Sequence, residues 1–386
     1  MSIETIGIVG GGQLGRMLTE AAIRMGYRVN SLEEGVNCPA AQVGAHQIEG
    51  SIKDAAAITE LARISDVVTP EIEHVAVEAL IDAEFAGIDV QPSPGILRII
   101  MDKYRQKSLF KRAGLPVADF MNLPNDESLG AAFEEFGAVM LKTRFGGYDG
   151  RGNRLVQERI DPVALPAFLQ DFVKVDKLAD ANLYAERAVE IDKELSVIFA
   201  RDRRGNIVNY PVTEMINKES QLSIAIAPAR VDEAVAETAV EVGRRTMSLL
   251  KGAGVIVVEM ILTKDGEVLV NEVAPRVHNS GHWTIEGSPT SQFKQHIRAI
   301  TGMELGFTAR MKHPAVVMVN ILGERGPVPA EPKGIEEAQN KEDAHVHIYG
   351  KEETKPARKM GHLTVVGDDI DEVLERGKRA RQLVSI

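Results

Sequence analysis

The sequence predicts an α/β chain whose first hundred residues wind a parallel sheet and whose remainder is built largely from strands and hairpins. Three observations carry this. Short apolar runs alternate with helical stretches at the N-terminus, glycines follow the first run directly, and apolar runs in the middle of the chain follow one another across short turns. Runs at 6–9, 29–32 and 67–69 read as strands, separated by helices over 14–25 and 54–62. Pro92, Ser93, Pro94 and Gly95 suit a connection, which puts a domain boundary near residue 100. A helix over 102–113 follows, then strands at 138–142, 194–200 and 207–211 and a long helix over 232–250. A Pro- and Gly-rich stretch at 323–333 separates the apolar run 316–322 from a basic C-terminal region, and no segment repeats.

A chain of 386 residues has room for two or three domains, and 44% hydrophobic with 26% charged residues is ordinary globular composition. The net charge of −11 argues against a nucleic-acid or acidic-membrane surface, because both need clustered positive potential. An anionic ligand must therefore be small and locally held. Cys38 is the single cysteine, so no internal disulfide or cysteine metal site can form. With neither a signal-peptide pattern nor an apolar stretch of spanning length, a cytoplasmic location is expected.

Gly10, Gly12 and Gly15 satisfy G-x-G-x-x-G between a strand and a helix, and Glu33 lies 18 residues beyond Gly15. This is the dinucleotide-binding pattern, in which a helix N-terminus offers amides to a pyrophosphate and an acidic residue takes the ribose. A nicotinamide oxidoreductase is thus one alternative. The same turn also serves other anions.

Two further features point to a nucleotide with its cation. The apolar runs 255–262 and 268–273 flank Lys264-Asp265-Gly266-Glu267, and a two-residue Asp265–Gly266 turn would set Glu259 directly opposite Glu272. Facing carboxylates among apolar neighbours repel unless a divalent cation bridges them, and carboxylates plus phosphate oxygens are the usual Mg²⁺ environment. Upstream, Lys142 ends an apolar run and is followed by Thr143-Arg144-Phe145-Gly146-Gly147-Tyr148-Asp149-Gly150-Arg151-Gly152-Asn153. Such a loop can approach phosphate closely through its backbone amides, with Lys142 as a point charge. Glu186, Arg187, Ala188 and Val189, with Glu194, flank a strand boundary and suit adenine and ribose. A flexible hairpin tip and solvated strand ends are the plain readings of the same residues.

The run Asn271-Glu272-Val273-Ala274-Pro275-Arg276-Val277-His278-Asn279-Ser280-Gly281-His282-Trp283-Thr284 closely resembles the 5-(carboxyamino)imidazole ribonucleotide synthetases, an ATP-grasp family of purine synthesis. Matching segments extend nearly end to end: Gly10 to Gly15, Cys38-Pro39-Ala40, Gly146 to Asn153, Asn320-Ile321-Leu322-Gly323, Tyr349-Gly350-Lys351 and Arg358-Lys359-Met360-Gly361-His362. The resemblance implies an ATP-grasp fold in three parts. These are a Rossmann-like N-terminal domain over 1–100, an ATP-grasp region over 101–310 with a glycine-rich lid over 114–195, and a small β-rich C-terminal domain over 311–386. It implies carboxylation of aminoimidazole ribonucleotide by bicarbonate with ATP, through carboxyphosphate, in a homodimer.

Carried onto matching positions, the resemblance gives ATP to Lys103, Lys142, Gly147, Tyr148, Asp149, Gly150, Arg151, Gly152, Asn153, Glu186, Arg187, Ala188, Val189, Glu194, Asn217, Asn271 and Glu272, and Mg²⁺ to Glu259 and Glu272. Arg276, His278 and Asn279 would line the bicarbonate pocket as catalytic residues with Asp149 and Lys351. Gln13, Leu14, Glu73, Tyr148, Asp149 and Arg151 would face the imidazole ribonucleotide, and Lys351, Arg358 and Lys359 would grip its phosphate. For that last cluster a solvated basic patch is the plain alternative. Val277, Asn217 and Ile348 depart from the pattern, where proline, histidine and an aromatic are usual, and this weakens the Asn217 contact. Trp283 reads as packing, His345 and His347 as strand residues, and Cys38 as a small buried residue. A formate-dependent glycinamide ribonucleotide transformylase is the alternative on the same fold.

Overall fold

The computed structural model describes residues 3–147, 152–308 and 311–386. Five strands form the first sheet: β1 (Thr5–Val9), β2 (Arg28–Glu33), β3 (His46–Glu49), β4 (Val67–Pro70) and β5 (Asp89–Val90). All pair in parallel, in the order β3-β2-β1-β4-β5. Every residue of β1 and β4 is buried, as expected for strands covered by crossover helices on both faces. The first crossover helix, α1 (Gln13–Arg24), starts at Gly12 without a side-chain cap. Pro94 and Gly95 do not form a connection. They open a helix, Pro94–Ile100, because the missing N–H and fixed φ of proline suit the first helical turn.

A second, antiparallel sheet holds β6 (Phe120–Asn122), β7 (Val139–Thr143), β8 (Asn153–Val156) and β9 (Leu183–Arg187). The glycine-rich loop is the connection between β7 and β8, where Lys142 pairs with Asn153. The largest sheet contains β10 (Ile191–Arg201), β11 (Ile207–Asn209), β12 (Thr213–Lys218), β13 (Gln221–Ala227), β14 (Gly254–Thr263), β15 (Val268–Ala274) and β16 (Ala315–Leu322). Beyond a short pair, β17 (Val328–Pro329) with β19 (Glu353–Thr354), it continues through β18 (His345–Ile348) and β20 (Lys359–Gly367). The antiparallel pairing of β13 with β16 therefore carries the sheet without a break into the C-terminal strands.

The first and largest sheets are held against each other by one buried apolar cluster, running from Ile6 and Ile8 through Val255, Val257 and Trp283 to Tyr349. His296 adds a polar staple. Its Nδ1 accepts from Val255 N at 3.0 Å, so Nε2 carries the proton and donates to Thr69 Oγ1 at 2.8 Å. Burial holds this imidazole neutral, with its pKa near 4. Trp283 is a packing residue with its Nε1 on Thr213 Oγ1 at 3.0 Å, and Cys38 is a buried thiol. Among the described residues no helix is long and apolar enough to cross a membrane.

Candidate active site

A cleft of about 1120 Å³ opens between the three sheets, and the β14–β15 hairpin forms its floor. Glu259 pairs with Glu272 as expected, although the turn differs from expectation. Gly266 N bonds Thr263 O at 2.9 Å and Gly266 takes φ +84°, so the turn has three residues, Lys264, Asp265 and Gly266. The register is shifted at first, with Met260 opposite Val270, and a bulge at Asn271 restores the Glu259–Glu272 pair. The bulge has a chemical consequence. Val270 and Val273 both enter the core below, while the two residues between them, Asn271 and Glu272, both reach the cleft.

Lysines meet these acceptors from above. Lys103 Nζ is 2.7 Å from Glu272, and Lys142 Nζ donates to Asn271 Oδ1 at 3.2 Å. Glu186 is less a free nucleotide contact than a buried counter-ion, held by Lys107 at 3.2 Å, Lys142 at 3.0 Å and the Tyr184 hydroxyl at 3.0 Å. Burial alone would raise its pKa, but the two ammonium groups overcome this and hold it near 2. Burial lowers Lys107 to about 8. Sequence reasoning missed Lys107, although the signal was present. It lies one helical turn after Lys103 on the helix Lys103–Arg112, hence on the same face.

Arg187, Ala188, Val189, Gly147 and Asn153 line the cleft, as do Glu194 and Asn217, which bond each other at 2.6 Å. Tyr148, Asp149, Gly150 and Arg151 lie outside the described residues. Gly152 is not among the lining residues; its carbonyl accepts from Thr143 N at 2.8 Å at the base of the loop.

On the far side of the carboxylate pair, Arg276 makes a two-pronged pair with Glu73, at 2.6 and 3.1 Å. Burial would raise the Glu73 pKa, but Arg276 pulls it down to about 2. Ser280 N bonds His278 Nδ1 at 3.3 Å, which leaves the proton on Nε2, 3.1 Å from Glu259. Burial and neighbouring Arg276 keep this imidazole neutral, with a pKa near 3. Glu259 itself is pushed upward by burial and by the neighbouring charge of Glu272. Asn279 and Asn320 exchange amide hydrogen bonds at 3.0 and 2.7 Å, and Gln292 clamps both backbone groups of His278, at 2.9 and 2.6 Å. Gln292 was not anticipated, and Asn320 was matched as part of a segment without being given a role, since both act from remote segments.

Gln13, Leu14, Glu73 and Lys359 line the cleft, while Lys351 and Arg358 are not among its lining residues. Lys351 Nζ donates to Lys359 O at 2.7 Å and Arg358 to Glu353 O at 2.7 Å. Burial and then Arg358 lower Lys351 to about 8. The glycine fingerprint serves no dinucleotide here. Gly11 N donates to Glu33 at 2.8 Å, Gly12 N to Glu71 at 2.7 Å, and Gly15 N also to Glu71. Glu33 caps the loop instead of waiting for a ribose. Among the described residues no group of three or more His, Cys, Asp or Glu is arranged to hold a metal alone, so a cation at Glu259 and Glu272 needs ligand oxygens as well.

Comparisons with known proteins agree with this geometry. Residues 3–101 match the ribonucleotide synthetase preATP-grasp domain, 108–293 the ATP-grasp domain, and 316–376 the phosphoribosylaminoimidazole carboxylase C-terminal domain. The N5-carboxyaminoimidazole ribonucleotide synthase of Brucella melitensis is 39% identical, over 94% of this chain and 96% of its own. The phosphoribosylaminoimidazole carboxylase of Ogataea methanolica is 40% identical, and the chloroplastic one of Vigna aconitifolia 39%. The chain spans 69% and 65% of their lengths. The crystal structure of the Thermotoga maritima N5-carboxyaminoimidazole ribonucleotide synthetase superposes with a TM-score of 0.86 at 41% identity, covering 99% of both chains. The Aspergillus clavatus N5-carboxyaminoimidazole synthase, in complex with ADP and aminoimidazole ribonucleotide, gives 0.87 at 33% identity, covering 99% of this chain and 98% of its own. With matches of this extent over a shared cleft, the chain belongs to the N5-carboxyaminoimidazole ribonucleotide synthases, a family of ATP-grasp ligases.

Proposed function

We propose that this chain joins bicarbonate to the amine of 5-aminoimidazole ribonucleotide with ATP, giving N5-carboxyaminoimidazole ribonucleotide, ADP and phosphate for purine synthesis. One observation carries the reading. The carboxylate pair Glu259–Glu272 and the Arg276–His278 segment stand in one cleft, so a phosphoryl donor and an anionic acceptor can meet there. Lys103, Lys142 and Asn271 would take the nucleotide phosphates, with Arg187 to Val189 along the base and Glu194 at the ribose. The bulged hairpin offers oxygen donors on one side and leaves room for phosphate oxygens on the other, which fits Mg²⁺ at Glu259 and Glu272. When bound, that ion neutralises phosphate charge.

Bicarbonate is a poor electrophile, so its oxygen attacks the γ-phosphorus, ADP leaves, and the carboxyl carbon acquires a phosphate leaving group. The amine nitrogen then attacks that carbon, phosphate departs and the nitrogen loses a proton. Arg276, oriented by Glu73, and neutral His278, oriented by Ser280 and Gln292, are donors suited to the bicarbonate and phosphate oxygens. Lys351, Arg358 and Lys359 form the cation cluster for the ribonucleotide phosphate, and the glycine-rich loop is a lid that excludes water. We also propose the division into 1–100, 101–310 and 311–386, a homodimer and a cytoplasmic location.

The test is direct. Enzyme, ATP, aminoimidazole ribonucleotide and labelled bicarbonate should release one phosphate per labelled carboxyamino product. Phosphate release with formate and glycinamide ribonucleotide, and none with the first pair, would overturn the reading.

A further inference from the structure

The glycine loop raises a separate question, because its amides are already taken. Glu71 follows β4, is 7% exposed, and places one carboxylate oxygen on Gly12 N at 2.7 Å and the other on Gly15 N. These are the amides at the start of α1, the part of a helix that attracts anions. The glycines are shaped to this carboxylate. A Cβ at Gly10 would run into the Glu71 side chain and one at Gly12 would come within 2.9 Å of its carboxylate, and the three atoms nearest to either position belong to Glu71. Gly12 has extended backbone, with φ −73° and ψ −154°, outside the left-handed region that demands glycine, and Glu71 supplies the atoms nearest to a Cβ there. Glu71 also lines the cleft beside Gln13 and Leu14, and two residues later Glu73 holds Arg276.

We propose that Glu71 is a built-in anion for this loop: a positioning and specificity residue that occupies the amides a ligand phosphate would take. By doing so it fixes the Gln13–Leu14 wall of the substrate cleft and closes the loop to free phosphate and dinucleotides. The wall's role rests on the function proposed above, but occupancy of the loop does not. Burial, joined by the charge of Glu33, raises the Glu71 pKa to about 7 against the two amides and Lys351, which lower it. The cleft therefore holds this carboxylate at a desolvation cost, which the loop amides and Lys351 offset only in part.

The experiment uses the full chain. Glu71→Ala leaves a space the size of acetate above two unsatisfied amides. Calorimetry should show acetate binding to Glu71→Ala and not to the parent, and inorganic phosphate binding to Glu71→Ala at one site beyond those the parent's substrate cleft offers. In the proposed reaction the KM for the ribonucleotide should rise roughly tenfold from the lost charge-assisted bonds, and acetate should reverse much of the rise. Glu71→Gln fills the same space, accepts one amide, and should show the loss without rescue. A double-mutant cycle gives a readout independent of activity. Gly12→Ala should lower the melting temperature in the parent and change it little in the Glu71→Ala background. Absence of anion uptake by folded Glu71→Ala, or equal damage from Gly12→Ala in both backgrounds, overturns the proposal. Failure of the parent to turn over the ribonucleotide, with anion uptake intact, would instead count against the proposed function alone. If Glu71→Ala does not fold, acetate should restore its folding, and no restoration overturns the proposal.

Discussion

Removing the Glu73 carboxylate tests the pair that ties the first sheet to the Arg276 segment. Its two bonds to Arg276 are 2.6 and 3.1 Å long, and the side chains are 14% and 18% exposed. Against the upward push of burial, Arg276 draws the Glu73 pKa from 4.5 down to about 2, which at 1.36 kcal/mol for each tenfold change in proton affinity is about 3 kcal/mol at pH 7. Breaking a buried pair by removing one partner costs about 3 to 5 kcal/mol, so the two routes agree. The sign follows from the depressed folded value. The contribution is complete above the unfolded pKa of 4.5, falls to about 2 kcal/mol by pH 3.5, and vanishes below about 2. Glu73→Ala should therefore melt roughly 6 °C below the parent at pH 7, taking about 2 °C per kcal/mol for a large chain. Differential scanning calorimetry of both proteins from pH 7 to 3.5 should show the gap narrowing as pH falls. A gap below 2 °C at pH 7, or one that widens on acidification, would refute the reasoning.

Glu272→Gln should keep the fold but lower ATP-dependent phosphate release by roughly 10²-fold or more, because it removes a proposed metal ligand and the partner of Lys103. A near-normal rate would remove the metal assignment. Lys107→Met leaves Val270 O and one side of Glu186 unpartnered in the interior, at a cost of about 3 kcal/mol visible as a lower melting temperature. An unchanged melting temperature would show the lysine to be dispensable. Lys351→Ala should raise the KM for the ribonucleotide with little effect on kcat. In the parent that KM should climb as pH passes about 8, where Lys351 loses its proton, and the climb should be absent from the variant. A parallel climb in both proteins would place the titration elsewhere.

How much was legible beforehand depended on how local the cause was. Alternating apolar runs and helices foretold the parallel sheet, since a period of two or 3.6 is a property of neighbouring residues. The Glu259–Glu272 pairing was foretold by a shorter turn than the real one. A three-residue turn shifts the register by one and the bulge at Asn271 shifts it back, so the pair survives. The bulge, which brings Asn271 and Glu272 together into the cleft, leaves no mark in the apolar pattern.

By itself the sequence determined the chain's family, the longer apolar strands and the carboxylate pair, all of which are written in short stretches of neighbouring residues. Only the tertiary structure decided what those residues touch. The glycine loop looks like a dinucleotide site until Glu71, 59 residues from Gly12, is seen on its amides. Glu186 looks like a ligand contact until Lys107 and Lys142 close around it, and Gln292 is an ordinary helix residue until it holds both backbone groups of His278. The physical reason is common to all three. A buried polar group must find a partner, and packing rather than local spacing decides which remote segment supplies it.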